Sequence, residues 1–223
     1  MRIYIKTTPN HSVVPFDYQQ KLIGTIHKWL GNNDIHDNIS LYSFSWLIGG
    51  KIIDGSGFVF PDGARFFVSF YEKEYLKLLM KTILDDPEMF CGLSVREISL
   101  GEEPSFSAEP QYFRLASPVF IKRYHNDERD WKFYFYDDEE SSKFMTETLK
   151  HKMQVAGLPE DKSLKVVFDK SYLGKSIKMV TIHGIKSKAS MCPVIVYGSP
   201  ESKSFAWTVG IGNSTGSAFG ALL

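Results

Sequence analysis

The 223-residue sequence predicts an α+β protein made of two similar units in tandem. Three observations lead there. Strand-like alternation and helix-like apolar stripes follow one another in the order βαββαβ between residues 2 and 100. A polar, proline-bearing stretch, GEEPSFSAEP at 101–110, then breaks the pattern. A second run of strands and helices occupies what remains. The βαββαβ order is that of a ferredoxin-like, or RRM-like, unit. The expected division is an N-terminal unit at 1–105 and a C-terminal unit at 111–223.

The elements of the first unit read in order. Residues 2–6 (Arg-Ile-Tyr-Ile-Lys) alternate as a strand. From 17 to 30 the apolar residues Leu22, Ile23, Ile26, Trp29 and Leu30 form one helical stripe, with Asp17 as a candidate N-cap and Gly31 as a stop. Residues 41–48 and 65–70 are aromatic-rich strands, the second introduced by the turn pair Asp62-Gly63. A helix at 72–84 ends at Asp85-Asp86-Pro87, because the residue before a proline is forced out of helical geometry. Residues 93–100 alternate again. In the second unit, 113–122 and 131–136 read as strands joined by a charged turn, 139–156 as a helix and 164–168 as a strand. Residues 177–183 and 192–197 read as a strand pair, and 200–207 as a short helix.

Composition narrows the function. Charge balances, with 26 Lys and Arg against 26 Asp and Glu, so any nucleic-acid contact must come from local clustering of cations. The two cysteines, Cys91 and Cys192, stand far apart, giving neither a disulfide framework nor a cysteine metal site. No apolar run reaches the ~18 residues of a spanning helix, and the amino terminus lacks a signal-peptide core. The expected setting is therefore cytoplasmic, with no membrane partner. Acidic pairs such as Asp85-Asp86 and the run at 137–140 read as helix termini, where negative charge at a start is stabilising, and not as a metal site.

The most informative stretch is the tail, VGIGNSTGSAFGALL at 209–223. Gly210, Gly212, Gly216 and Gly220 stand among Asn213, Ser214, Thr215 and Ser217. Such a loop can bring backbone N–H groups close to a phosphate, since glycine permits tight approach and positive φ. It is neither a dinucleotide fingerprint, whose GxGxxG spacing fails at Thr215, nor a P-loop, which needs Gly-Lys-Ser/Thr. On spacing alone, a small-residue turn packing a terminal strand is an equal reading.

Several motifs nonetheless resemble one family. Gly210-Ile211-Gly212 followed by Ala218-Phe219-Gly220 is similar to the glycine-rich loop of the RAMP superfamily of CRISPR proteins, with alanine in place of the first glycine of the closing triplet. The opening RIYIKTTP and VVPFDYQQKLIGTIHKWL resemble the first strand and helix of the sixth Cas family, the endoribonucleases that cut CRISPR repeat transcripts. Ile35-His36-Asp37 before Leu41-Tyr42-Ser43-Phe44-Ser45, and Leu115-Ala116-Ser117-Pro118-Val119 at the start of the second unit, resemble it too. The resemblance implies metal-independent cleavage of precursor CRISPR RNA within its repeats. The RNA's own 2′-hydroxyl attacks the phosphate, leaving a 2′,3′-cyclic phosphate and a 5′-hydroxyl. It also implies retention of the product RNA, and either a place among other Cas proteins of an effector complex or a homodimer.

That chemistry needs a base, an acid and positive charge near the phosphorane, and histidine suits both proton roles near pH 7. His36 lies where the family carries its catalytic histidine, in the loop after the first helix. His27, on the flank of the helix stripe, is the second candidate, and a satisfied structural histidine is an equal reading. Where several relatives carry a lysine this chain has Ser40, so the cation would come from Lys28, from Lys51 or from the RNA-binding surface, with Tyr42 orienting a group. Lys51 also reads as a plain surface lysine. RNA-binding candidates are Lys122 and Arg123 at a strand end, Lys186 and Lys188 in a turn between strands, and Gly210, Gly212, Asn213, Ser214, Gly216 and Gly220 in the tail. No cofactor or metal is expected. Two rivals remain: a non-catalytic RAMP-type RNA-binding subunit, and a ferredoxin-like regulatory module in which the glycines only turn the chain.

Overall fold

The computed structural model describes residues 1–31, 39–53, 55–125 and 130–223. In the first unit, strand β1 (Arg2–Thr7) leads to helix α1 (Gln19–Leu30) and the short strand β2 (Tyr42–Phe44). A hairpin of β3 (Lys51–Ile53) and β4 (Gly57–Val59) precedes β5 (Arg65–Phe70), α2 (Lys73–Asp85) and β6 (Val95–Leu100). The main sheet is antiparallel in the order β2-β5-β1-β6, the ferredoxin-like arrangement.

Strand alternation divides this sheet into two working faces. Ile3 and Ile5 of β1, with Phe66, Val68 and Phe70 of β5, pack beneath Leu22, Ile26 and Trp29 of α1 and Leu76, Leu79 and Ile83 of α2. The intervening residues Arg2, Ser43, Phe67 and Ser69 are also buried, but face the second unit. Arg2 is the centre of that junction. Its guanidinium lies 3.7 Å from the ring centroids of both Phe67 and Trp207. It donates to Ser69 Oγ at 2.7 Å and to the carbonyls of Trp207 and Leu222 at 2.8 and 2.9 Å. Desolvation brings it down to about 10, and those acceptors keep it satisfied.

The second unit contains β7 (Gln111–Phe113), the hairpin β8 (Lys122–His125) and β9 (Asp130–Phe133), α3 (Ser141–Val155) and β10 (Lys165–Phe168). A long hairpin of β11 (Ser176–Ile182) and β12 (Ile185–Met191), then β13 (Val194–Tyr197) and α4 (Pro200–Val209), complete it. Its sheet runs β10-β13-β7, antiparallel throughout. The place of a fourth strand is taken by the tail, through the bridge Leu115↔Leu222 and the bond from Leu223 N to Arg114 O at 2.9 Å. The glycine-rich segment is thus the connection between α4 and that final pairing. Ser199 caps α4 through its Oγ, with Pro200 in the first turn where no N–H is needed. The 101–110 stretch is pinned, because the fully buried Lys203 donates to the carbonyls of Ser107, Ala108 and Glu109.

Several elements differ from the expected ones. The strand expected at 113–122 exists only as β7 and the start of β8, because Pro118 has no N–H to give a ladder. The strand expected at 41–48 is only β2. Residues 177–183 pair with β12 and not with 192–197, whose partners are β10 and β7. Lys186 and Lys188 accordingly lie within β12 and not in a turn. The turn is His183-Gly184, both at positive φ (49° and 76°), the geometry of a tight two-residue hairpin.

Candidate active site

His27 projects from the last turn of α1, half-buried, with Nε2 3.5 Å from the Tyr42 hydroxyl. Tyr42 stands on the edge strand β2 with its ring stacked on Phe70 (centroids 5.0 Å apart). Its hydroxyl donates to the Gly216 carbonyl at 3.2 Å. Burial pushes that hydroxyl up to about 12, so Tyr42 keeps its proton near neutrality. Because the proton points at Gly216, the oxygen offers the His27 nitrogen an acceptor. His36 falls in 32–38, outside the described residues.

The tail closes on this edge. A Cβ at Gly216 would stand 2.5 Å from the Tyr42 ring and 2.7 Å from Ser40 Oγ, so glycine here is what admits the tyrosine. Gly220 has φ +64°, and a Cβ there would lie 1.9 Å from the Ile211 carbonyl. The loop is folded on itself and on the second unit: Ile211 N bonds Gly220 O, Asn213 N bonds Phe120 O, and Gly220 N bonds Pro118 O, at 2.8–2.9 Å. Ala218 also adopts the left-handed region (φ 65°), where glycine would be relaxed. Its methyl joins the core beneath α1 and α2, which offsets that strain. Trp46 Nε1 donates to its carbonyl at 2.9 Å.

Gly210, Gly212, Gly216 and Gly220 are all buried; of the loop's polar residues Ser214 is exposed and Asn213 and Ser217 are half-exposed. The loop therefore presents its polar tip outward and uses its glycines to pass between the units. Beneath it lies Lys152 of α3, 2% exposed, whose Nζ donates to Thr215 Oγ1 at 2.8 Å and lies 3.3 Å from Val209 O. Desolvation brings this ammonium down to about 7. Thr215 Oγ1 is in turn 3.5 Å from Ser40 O, where the chain leaves residues 32–38. Lys152 was absent from the sequence-derived candidates. The available signal was helical spacing, since it falls on the stripe of Met145, Leu149 and Met153.

The remaining candidates scatter. Lys28 is held by Asp86 Oδ2 at 2.9 Å and Glu88 O at 2.6 Å, joining α1 to the segment after α2. That contact holds the Asp86 carboxyl below its usual range. Lys51 is exposed on β3. Arg123 is half-buried, its guanidinium bonded to Asn213 Oδ1, Phe144 O and Thr148 Oγ1, so it ties β8 to the tail and to α3. Lys122 lies over the Trp131 ring, 3.7 Å from its centroid. By register, Lys186 and Lys188 share one face of the long hairpin with Thr181 and Met179. The hairpin tip is anchored on α1, with Gln20 Oε1 accepting from His183 N at 3.0 Å. Among the described residues no three metal-ligating side chains gather, and no helix is long and apolar enough to cross a membrane.

Two ferredoxin-like units joined through a glycine-rich tail define a RAMP-fold protein. Residues 101–222 match the family model of the CRISPR associated protein Cas6, C-terminal, and the chain belongs to that family. Among solved structures it is similar to the product of a Cas6-related gene from Pyrococcus furiosus, with TM-score 0.86 and 23% identity over 100% of this chain and 97% of that one. A RAMP protein described as binding different RNA substrates gives 0.84 and 19%, covering 100% and 98%. A Cas6 product complex gives 0.70 and 12%, covering 100% and 99%. No curated protein sequence matches.

Proposed function

We propose that this chain is an endoribonuclease that cuts precursor CRISPR RNA within its repeats. The observation that carries this reading is the meeting of His27, Tyr42 and Gly216, where the first helix, the edge strand and the glycine-rich tail converge. Family membership supports it. In the proposed reaction the 2′-oxygen forms a bond to phosphorus as the bond from phosphorus to the 5′-oxygen breaks. One imidazole takes the 2′-hydroxyl proton and another gives a proton to the departing oxygen. His36 is assigned the principal transfer and His27 the second, with Tyr42 fixing the His27 ring. Positive charge comes from Lys51 or from the protein's RNA-binding surface, since Lys28 is already engaged by Asp86. RNA contacts are assigned to Asn213 and Ser214 at the loop tip and to Lys122, Lys186 and Lys188. Retention of the product and assembly with other Cas proteins or with a second copy belong to the same proposal.

End-labelled repeat RNA incubated with the protein in EDTA tests it. One cut that disappears with His36→Ala and weakens with His27→Ala supports the reading. Tight binding without cutting supports instead an RNA-binding subunit, the reading favoured by Ser40 at the family's lysine position and by the likeness to a RAMP protein described as binding RNA.

A further inference from the structure

The hairpin β8–β9 carries a feature that the cleavage site does not use. Tyr124 and Trp131 face each other across the two strands, their rings stacked at 3.5 Å between centroids and 30° between planes. Both are exposed, Tyr124 by 61% and Trp131 by 40%. The Lys122 ammonium also sits against the Trp131 ring, and Lys132 lies 4.7 Å from the Tyr134 ring centroid. On the same hairpin face Phe133 continues inward to Phe120 (5.7 Å), which stacks on Phe219 of the tail (4.9 Å). Asn213 Oδ1 accepts from both Lys122 N and Arg123 Nη1, so this strand is fastened to the exposed tip of the glycine-rich loop.

A cross-strand aromatic pair stabilises a hairpin without being solvent-facing; here Tyr124 is largely exposed, and the Lys122 ammonium lies on the Trp131 ring that backs it. We propose that Tyr124, backed by Trp131, is a stacking platform for an unpaired base of the bound RNA, with Lys122, on the Trp131 ring, serving a nearby phosphate. The proposal rests on the RNA-binding reading above. Stacking suits an unpaired base of any identity, since every base offers a ring face.

Fluorescence anisotropy with two labelled RNAs tests it: a repeat RNA with single-stranded flanks, and a fully paired RNA of the same length. Tyr124→Ala is expected to weaken binding of the flanked RNA roughly tenfold, to leave its salt dependence unchanged, and to leave the paired RNA unaffected. Tyr124→Phe, which keeps the ring, retains wild-type affinity. Equal affinity of Tyr124→Ala and wild type for the flanked RNA overturns the platform while leaving the RNA reading intact. So does an equal loss on both RNAs, which marks a structural defect. If wild type binds neither RNA at low salt, the RNA reading fails first.

Discussion

Replacing Lys152 by methionine isolates the buried charge beneath the glycine-rich loop. Among the described residues the partners of the ammonium are Thr215 Oγ1 and Val209 O, neither of them a carboxylate, and burial brings it down to about 7. In the unfolded chain a lysine titrates near ~10.4. Between those values the unfolded state binds more protons than the folded one, so stability rises with pH across that window. The slope is about 1 kcal/mol per pH unit. From pH 7 to 9 the wild type should thus gain roughly 2–3 kcal/mol relative to Lys152→Met. Methionine also leaves two acceptors without a donor, an offset of about 1–3 kcal/mol that does not vary with pH. The slope of the difference is therefore the diagnostic quantity. Urea unfolding of both proteins at pH 7, 8 and 9 measures it, below the range where Tyr42 ionises. Parallel stability curves would refute the reasoning.

Three further outcomes follow from the junction and the tail. Arg2→Leu leaves the Trp207 and Leu222 carbonyls unpaired and should lower unfolding free energy by about 3 kcal/mol, read by urea titration. Gly220→Ala forces a methyl against the Ile211 carbonyl at positive φ and should cost about 3 kcal/mol or more, seen as a lowered thermal midpoint. At Asp161 burial opposes ionisation, but bonds from Ser163, Ser199 N and Ser202 outweigh it and hold the carboxyl well below its usual range. That contribution is full above pH ~4 and lost as pH falls below it. Asp161→Asn should therefore be destabilised at pH 7 and should approach wild type in acid.

Much of the first unit was legible because its strands put an apolar side chain into the core under the helices at every second position and its helices carry clean stripes, as at Ile3 and Ile5 or Leu22, Ile26 and Trp29. The hairpin β3–β4 was not: Lys51–Ile53 is exposed throughout and shows no alternation. Strand β12 was missed because IKSKASM reads as polar and its turn uses a histidine in a left-handed conformation, which few turn signals include. Of the site, His27, Tyr42 and the tail glycines were recognisable as separate motifs. Their convergence was not, since Tyr42 and Gly216 are far apart in sequence and meet only through packing of the two units. Arg2, Lys152 and Lys203 escaped because periodicity arguments place charged residues outside, whereas each is buried against carbonyl or hydroxyl oxygens.

The most direct test is cleavage of end-labelled repeat RNA in EDTA by wild type, His36→Ala, His27→Ala and Tyr42→Phe. The expected result is a single cut with a cyclic phosphate end. It is abolished by His36→Ala and slowed by His27→Ala and Tyr42→Phe, with RNA affinity kept in all three. Intact RNA with wild type, or undiminished cutting by His36→Ala, would contradict the assigned site.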